Sequence, residues 1–123
     1  MALKTVLDTN AIPHLLGGRV AQRLPADDYF VSVISEMELL SYPLLDASAQ
    51  TKIRQFLSDV TVVGLTERVK DQAIALRLRH QLKLPDAIVA GTALSLEGLL
   101  ITNDTRLLRI PELRSQPLKL KDA

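Results

Sequence analysis

The chain has 123 residues, of which 47% are hydrophobic and 3% aromatic, and its formal net charge at pH 7 is +1. This length predicts a single domain over residues 1–123 with one core, and the scarcity of aromatic rings excludes base stacking as the main way of holding nucleic acid. Without cysteine, a signal-peptide pattern or an apolar run of about 18 residues, the chain is expected to be cytoplasmic, with no disulfide, thiolate metal site or membrane span.

Short β-branched runs alternate along the chain with longer segments of helical periodicity. Strands are predicted at residues 5–7, 30–33, 61–65, 99–102 and 118–120. Strands that alternate with helices indicate βαβ crossovers and a parallel sheet covered on both faces. We therefore predict a three-layer α/β/α domain.

The segments between these runs have the pattern of helices. Helices are predicted over residues 12–23 with a stop at Pro25, 36–45, 50–57 and 67–82. The last has the clearest pattern, because Val69, Ala73 and Leu76 fall on one stripe of a 3.6-residue period. His80 continues that stripe, which favours a structural role over catalysis. Residues 36–45 are more apolar than one buried face requires, so part of this segment is expected to face a partner chain.

Four acidic residues lie at or beside the ends of apolar runs. They are Asp8 in L-D-T-N, Glu38 in S-E-M-E-L, Asp86 in L-P-D-A and Asp104 in T-N-D-T-R. If the runs are parallel strands, at least two of the acids emerge at the same sheet edge. In open α/β sheets that edge is where ligands bind.

Helix capping can explain each acid separately. Asp8 and Asp104 can cap the helices that follow them, and Asp86 lies in a predicted first turn, where the helix dipole favours a carboxylate. Ser35 and Glu38 have the spacing of a capping box. Capping does not require the four acids to converge, whereas a metal site does.

A cluster of four carboxylates requires cations. Two carboxylates about 5 Å apart repel by roughly 3 kcal/mol at an effective dielectric constant of about 20. Oxygen ligands without thiolates or a placed histidine suit Mg²⁺ or Mn²⁺, and such ions activate water for phosphoryl displacement. The four acids together indicate a hydrolytic metal site.

Four motifs occur in order between residues 5 and 110: L-D-T-N, S-x-x-S-x-x-E-L, D-A-x-x-A-x-T-A-L and T-N-D. In these motifs the chain closely resembles a PIN domain of the VapC toxin type. The resemblance implies a five-stranded parallel sheet and a Mg²⁺- or Mn²⁺-dependent endoribonuclease. It also implies that Asp8, Asp86 and Asp104 hold the catalytic ion, that Glu38 completes a second ion or its water shell, and that water is the attacking group.

Several further residues of these motifs have expected roles. Those expected to orient the carboxylates are Asn10, Thr102 and Asn103. Glu36 competes with Glu38 for the place of the second acid, and the Glu-Leu pair of the motif favours Glu38. The position beyond the fourth acid, which is also acidic in some relatives, reads Thr105-Arg106 here. Candidates for contacts with RNA phosphates are Arg19, Arg23, Arg77, Arg79, Lys83, Arg106 and Arg109.

The resemblance also implies protein partners. Toxins of this type form homodimers and are inhibited by a small cognate antitoxin, whose C-terminal segment lies in a groove near the acids. The apolar residues 39–45 are compatible with either contact.

Three alternatives to the ribonuclease are an inactive PIN-like interaction module, a phospho-receiver domain and a phosphatase. An inactive PIN-like interaction module stays open, because a sequence does not show that the acids converge. A phospho-receiver needs an acceptor aspartate after the third strand, where the chain reads Val63-Gly64-Leu65. A phosphatase with an aspartate nucleophile needs D-x-D, where the chain has Asn10 as its second member.

Overall fold

The computed structural model describes residues 4–18 and 28–120. Within them the strands are β1 (Lys4–Leu7), β2 (Asp28–Ser32), β3 (Thr61–Val63), β4 (Leu99–Ile101) and β5 (Ser115–Gln116). The helices are α1 (Ile12–Leu16), α2 (Val33–Leu40), α3 (Ala47–Asp59), α4 (Glu67–His80), α5 (Leu84–Ser95) and α6 (Thr105–Leu108), and a 3₁₀ turn covers Thr9–Ala11. No helix among these residues is long and apolar enough to cross a membrane.

The sheet is buried on both faces. Along β1 and β4, Val6 and Leu100 belong to a core that α4 and α5 complete, whereas Leu7 and Ile101 belong to a second core with residues of α1, α2 and α3. Successive strand residues point to opposite faces, so β1 and β4 each supply both cores. The predicted three-layer α/β/α fold with a five-stranded parallel sheet is confirmed.

The strand order is β3-β2-β1-β4-β5, and all neighbours are parallel. From β1 the chain moves outward to β2 and β3, then returns to place β4 on the other side of β1. The carboxyl ends of β1 and β4 therefore flank a switch point, where open α/β sheets bind ligands. Receiver domains have the order 2-1-3-4-5, so the phospho-receiver alternative is wrong.

Helix α2 differs from its prediction at both ends. It begins at Val33 because β2 passes directly into it, and the cap is Ser32, whose Oγ accepts the Ile34 N–H at 3.1 Å. The predicted capping box of Ser35 and Glu38 is therefore wrong. The helix ends at Leu40, five residues early, and the Ser41 hydroxyl bonds the Met37 carbonyl oxygen at 2.6 Å. Pro43 shortly beyond disfavours a longer helix.

Other element boundaries also differ. Helix α3 starts at Ala47 and not at residue 50, because the Asp46 carboxylate accepts the Ala49 N–H at 2.7 Å. The strand predicted at 118–120 is wrong: β5 lies at Ser115–Gln116, and the Leu118 N–H donates to Asn103 Oδ1 at 3.0 Å instead of to a strand.

The first helix ends earlier than the predicted range of 12–23. Helix α1 ends at Leu16, and Gly18 follows with a φ of 68°, a conformation that glycine adopts without strain. Residues 19–23 of this prediction, and the stop at Pro25, lie outside the described residues.

Two glycines allow the close packing that positions the acids. A Cβ at Gly98 would lie 2.6 Å from the Lys4 carbonyl oxygen, so a larger residue would displace the start of β1. A Cβ at Gly91 would lie 3.0 Å from the Ala73 backbone nitrogen. Gly91 therefore lets α5, which carries Asp86, pack closely on α4.

Candidate metal centre at the sheet edge

Asp8 follows β1 directly and is buried, with 6% of its surface exposed. Its Oδ1 accepts the Thr9 N–H at 2.8 Å, and its Oδ2 accepts the Thr102 hydroxyl at 2.7 Å and the Asn10 amide at 3.1 Å. Burial raises the pKa of Asp8, and the charges of Asp86 and Asp104 raise it further, against the lowering effect of the hydrogen bonds. The ionised form of Asp8 is therefore costly without a neighbouring cation.

Asp104 is joined to Asp8 through one buried hydroxyl. Thr102, at the end of β4, donates to Asp8 and accepts the Asp104 N–H at 3.0 Å. Asp104 also caps α6, because its Oδ1 accepts the Arg106 N–H at 2.9 Å. Asp104 thus caps a helix and also lies within one hydroxyl of Asp8.

Asp86 lies in the first turn of α5 as predicted. Partial burial raises its pKa, as do the negative charges of Asp104 and Glu38, whereas the Arg106 and Lys83 cations lower it. Asp86 and Asp104 also face the same nitrogen of Arg106, which lies 3.4 Å from an oxygen of each.

Glu38 reaches the site from α2. Its Oε1 lies 2.8 Å from Thr9 Oγ1, which is also 2.7 Å from Ser35 Oγ. A hydroxyl has one proton to donate, so Thr9 donates to the carboxylate and accepts from Ser35. Within the described residues, no hydrogen bond or ion pair of the Glu36 side chain is found.

The two asparagines fasten the loops around the acids. Asn10 donates to Asp8, and its Oδ1 accepts the Asn103 N–H at 3.2 Å. The Asn103 side chain accepts the Leu118 N–H. Of the residues expected to orient carboxylates, Thr102 and Asn10 contact Asp8, whereas Asn103 acts on the backbone.

Arg106 supplies a contact that the sequence analysis missed. Its Nη2 lies 3.4 Å from Asp86 Oδ2 and 3.4 Å from Asp104 Oδ2. A basic residue two positions after an acid at a helix start was the available signal, but it did not show that Asp86 would be within reach.

The acids fit a hard divalent cation in chemistry and charge. Their donors are all carboxylate oxygens, which Mg²⁺ and Mn²⁺ prefer, and the pKa values of Asp8 and Asp86 are raised partly by their acidic neighbours. As the side chains stand, no three acidic or histidine side chains in the part of the chain described enclose a common point for an ion. The side chains of the acids would therefore have to rotate for three of them to bind one ion.

Several basic candidates for RNA contacts have other partners. Arg79 Nη1 lies 2.8 Å from a Glu112 oxygen, and His80 Nε2 lies 2.9 Å from the other. The Arg79 hydrogen bond is the main cause that lowers the pKa of Glu112 to about 2. Arg77 donates to the Leu82 carbonyl oxygen at 3.2 Å. Arg19 and Arg23 lie outside the described residues.

A groove of about 930 Å³ borders the acids. Thr9, Asn10 and Glu38 lie on one side of it. The rest of the lining is mostly apolar and comes from α1, α2, α3 and residues 41–45, with Ser41 and Lys52 as further polar residues. Tyr42 in its wall is 58% exposed. The groove can hold an extended or helical segment whose apolar side chains lie beside the acidic site.

Comparisons with known proteins agree on the family. A family model described as PIN domain matches residues 5–113. A toxin–antitoxin complex from Klebsiella pneumoniae contains a chain that is 28% identical, with coverage of 89% of this chain and 94% of that one and a TM-score of 0.74. VapBC-1 from nontypeable Haemophilus influenzae is 27% identical, with coverage of 94% of this chain and 98% of that one and a TM-score of 0.72.

A third structure supports the fold alone. VapBC2 from Rickettsia felis, bound to a promoter DNA fragment, matches at 19% identity over 95% of this chain and 100% of that one, with a TM-score of 0.78. A search among curated proteins gives no significant match.

Proposed function

This chain belongs to the PIN domain family, and we propose that it is a Mg²⁺- or Mn²⁺-dependent endoribonuclease that acts as the toxin of a toxin–antitoxin pair. Three pairwise links between the acids support the proposal. The Thr102 hydroxyl bonds both Asp8 and the Asp104 N–H, one Arg106 nitrogen faces both Asp86 and Asp104, and Glu38 accepts the hydroxyl of Thr9 beside Asp8. An inactive interaction module does not explain why charges that repel each other are held together.

In this proposal the four acids bind the ions, and neighbouring residues orient the acids. Asp8, Asp86 and Asp104 would hold the ion, and Glu38 would bind a second ion or its water. When bound, the ion activates a water molecule and stabilises charge on the phosphoryl group. Thr102 and Asn10 fix the orientation of Asp8, as Thr9 does for Glu38. Lys83 and Arg106, whose charges act on Asp86, are placed to attract the RNA backbone.

We expect Asp86→Asn to lower the rate of Mn²⁺-dependent RNA cleavage at least about 100-fold, because a ligand of the ion should matter more than groups that only support ligands. Cleavage of a mixed RNA pool in Mn²⁺ and in EDTA measures this. The matched control is Asp71→Asn, which removes an exposed acid of α4. Cleavage that persists in EDTA contradicts the metal mechanism, and no cleavage by the wild type in Mn²⁺ favours the interaction module.

The groove beside the acids is proposed as the antitoxin site. The structures at 27% and 28% identity are described as VapBC-1 and a toxin–antitoxin complex, and the exposed Tyr42 supplies apolar surface in the groove that Glu38 also lines. Binding of the cognate antitoxin should protect the amides of α2 and residues 42–45 in hydrogen–deuterium exchange. Unchanged exchange in these segments, with protection elsewhere, contradicts the assignment.

A homodimer is the second partner that we propose. Ile74, Leu78 and Leu84 expose apolar surface on α4 and at the start of α5, which supports the predicted homodimer; sedimentation velocity tests it directly. RNA as the substrate, a cytoplasmic location and a single domain over residues 1–123 remain parts of the proposal.

A further inference from the structure

Arg106 lies between two acids that come from different helices. One nitrogen of its guanidinium, Nη2, faces Asp86 Oδ2 at the start of α5 and Asp104 Oδ2 before α6, at 3.4 Å from each. The backbone of Arg106 is fixed by the cap of α6, in which its N–H bonds Asp104 Oδ1. The cap that holds Asp104 therefore also directs the Arg106 side chain toward Asp86.

Both oxygens of Asp104 are thereby engaged. Oδ1 accepts the backbone N–H of Arg106, and Oδ2 faces its guanidinium. A carboxylate oxygen has more than one lone pair, so the cap at Oδ1 can persist when an ion binds Asp104. An ion between Asp104 Oδ2 and Asp86 Oδ2, however, would take the position of the guanidinium. The cap is the shorter contact, at 2.9 Å against 3.4 Å, and its loss would also disturb the helix start. We therefore expect the contact between the Arg106 guanidinium and Asp104 to break before the cap does.

We propose that Arg106 competes with the divalent cation within the molecule: its guanidinium occupies the space between Asp86 and Asp104 in the metal-free protein and leaves when the ion binds. This inference rests on the proposed metal site. The guanidinium relieves the repulsion between the two carboxylates, which a divalent ion at the same place relieves more strongly.

The expected strength of the competition follows from the geometry. The Arg106 side chain is 57% exposed, and its contacts are longer than the roughly 2.8 Å of a strong charge-assisted hydrogen bond. Exposed ion pairs of this kind change an equilibrium constant by a factor of up to about five each. Two such contacts allow a change of up to about 25-fold in all, and within that limit we expect removal of both to tighten Mn²⁺ binding about tenfold.

Calorimetric titration of Mn²⁺ into the metal-free protein tests this. Arg106→Met removes the charge, keeps a side chain of similar reach and adds no oxygen ligand. We expect its Kd to fall about tenfold relative to the wild type. The matched control Arg109→Met removes an exposed arginine for which no contact with these acids is found among the described residues, and its Kd should stay within twofold.

The outcomes separate this inference from the proposed function. An equal or higher Kd for Arg106→Met, in a wild type that binds Mn²⁺, overturns the competition and leaves the metal site standing. Absence of binding in both proteins overturns the metal site and the competition with it. Arg106→Lys provides a second variant, because it keeps the charge but loses the planar fork; an intermediate Kd is expected, and a Kd below that of Arg106→Met contradicts the proposal.

Discussion

Asp8→Asn is expected to abolish Mn²⁺-dependent RNA cleavage and to stabilise the metal-free protein at the same time. The substitution removes a proposed ligand, so the rate should fall at least about 100-fold. It also removes a buried charge whose pKa is raised by burial and by the neighbouring Asp86 and Asp104. We expect the free energy of unfolding at pH 7 in EDTA to rise.

The stability gain should depend on pH in a defined direction. An acid with a raised folded-state pKa binds its proton more tightly in the native than in the unfolded chain. Wild-type stability is therefore lost as the pH rises from the ordinary value of 3.8 through the folded pKa of Asp8. The difference between variant and wild type should be small below pH 3.8 and full at neutral pH.

Thermal unfolding of both proteins in EDTA across this pH range measures the effect. Glu112 has the opposite sign, because its lowered pKa adds stability above its ordinary value of 4.5, which is lost as the pH falls toward about 2. Glu112 is present in both proteins and cancels in the difference. A variant less stable than the wild type at pH 7 in EDTA would show that the hydrogen bonds of Asp8 outweigh its burial.

The main architecture could be predicted from the sequence because its signals are local. The strand that precedes Asp8, the helix that starts at Glu67 and the position of Asp86 in a first turn follow from the spacing of apolar residues, from Pro85 and from nearby polar residues. That helix was predicted over 67–82 and ends at His80, because Gln81 adopts the left-handed conformation. The corrected elements depend on signals that compete. Ser32 and Ser35 are both possible caps, and only the direct passage from strand to helix selects Ser32.

The geometry of the site could not be predicted in the same way. The Thr102 hydroxyl that contacts Asp8 is 94 residues away in the chain, and no local pattern specifies that bond. The same holds for Arg106, which reaches across 20 residues to Asp86. The motif order selected the four candidate acids, whereas the contact between Thr102 and Asp8 arises from the strand order that places β4 beside β1.

Glu38→Gln and Glu36→Gln should separate the two acids that competed in the sequence. The residues lie on the same helix two positions apart, about 200° around its axis, so they face different surroundings. Glu38 contacts Thr9 beside Asp8, and its charge raises the pKa of Asp86. We expect Glu38→Gln to lower Mn²⁺-dependent cleavage at least about tenfold and Glu36→Gln to leave it within twofold.

The paired substitution distinguishes a metal role from a structural one. Glutamine keeps an oxygen that can accept the Thr9 hydroxyl, so helix α2 should remain in place while the negative charge is lost. If Glu38→Gln acts through the site, the cleavage rate falls while the unfolding midpoint in EDTA stays the same or rises. Equal losses of activity in both variants would assign the effect to α2 as a whole, and full activity of Glu38→Gln would limit the catalytic acids to the three aspartates.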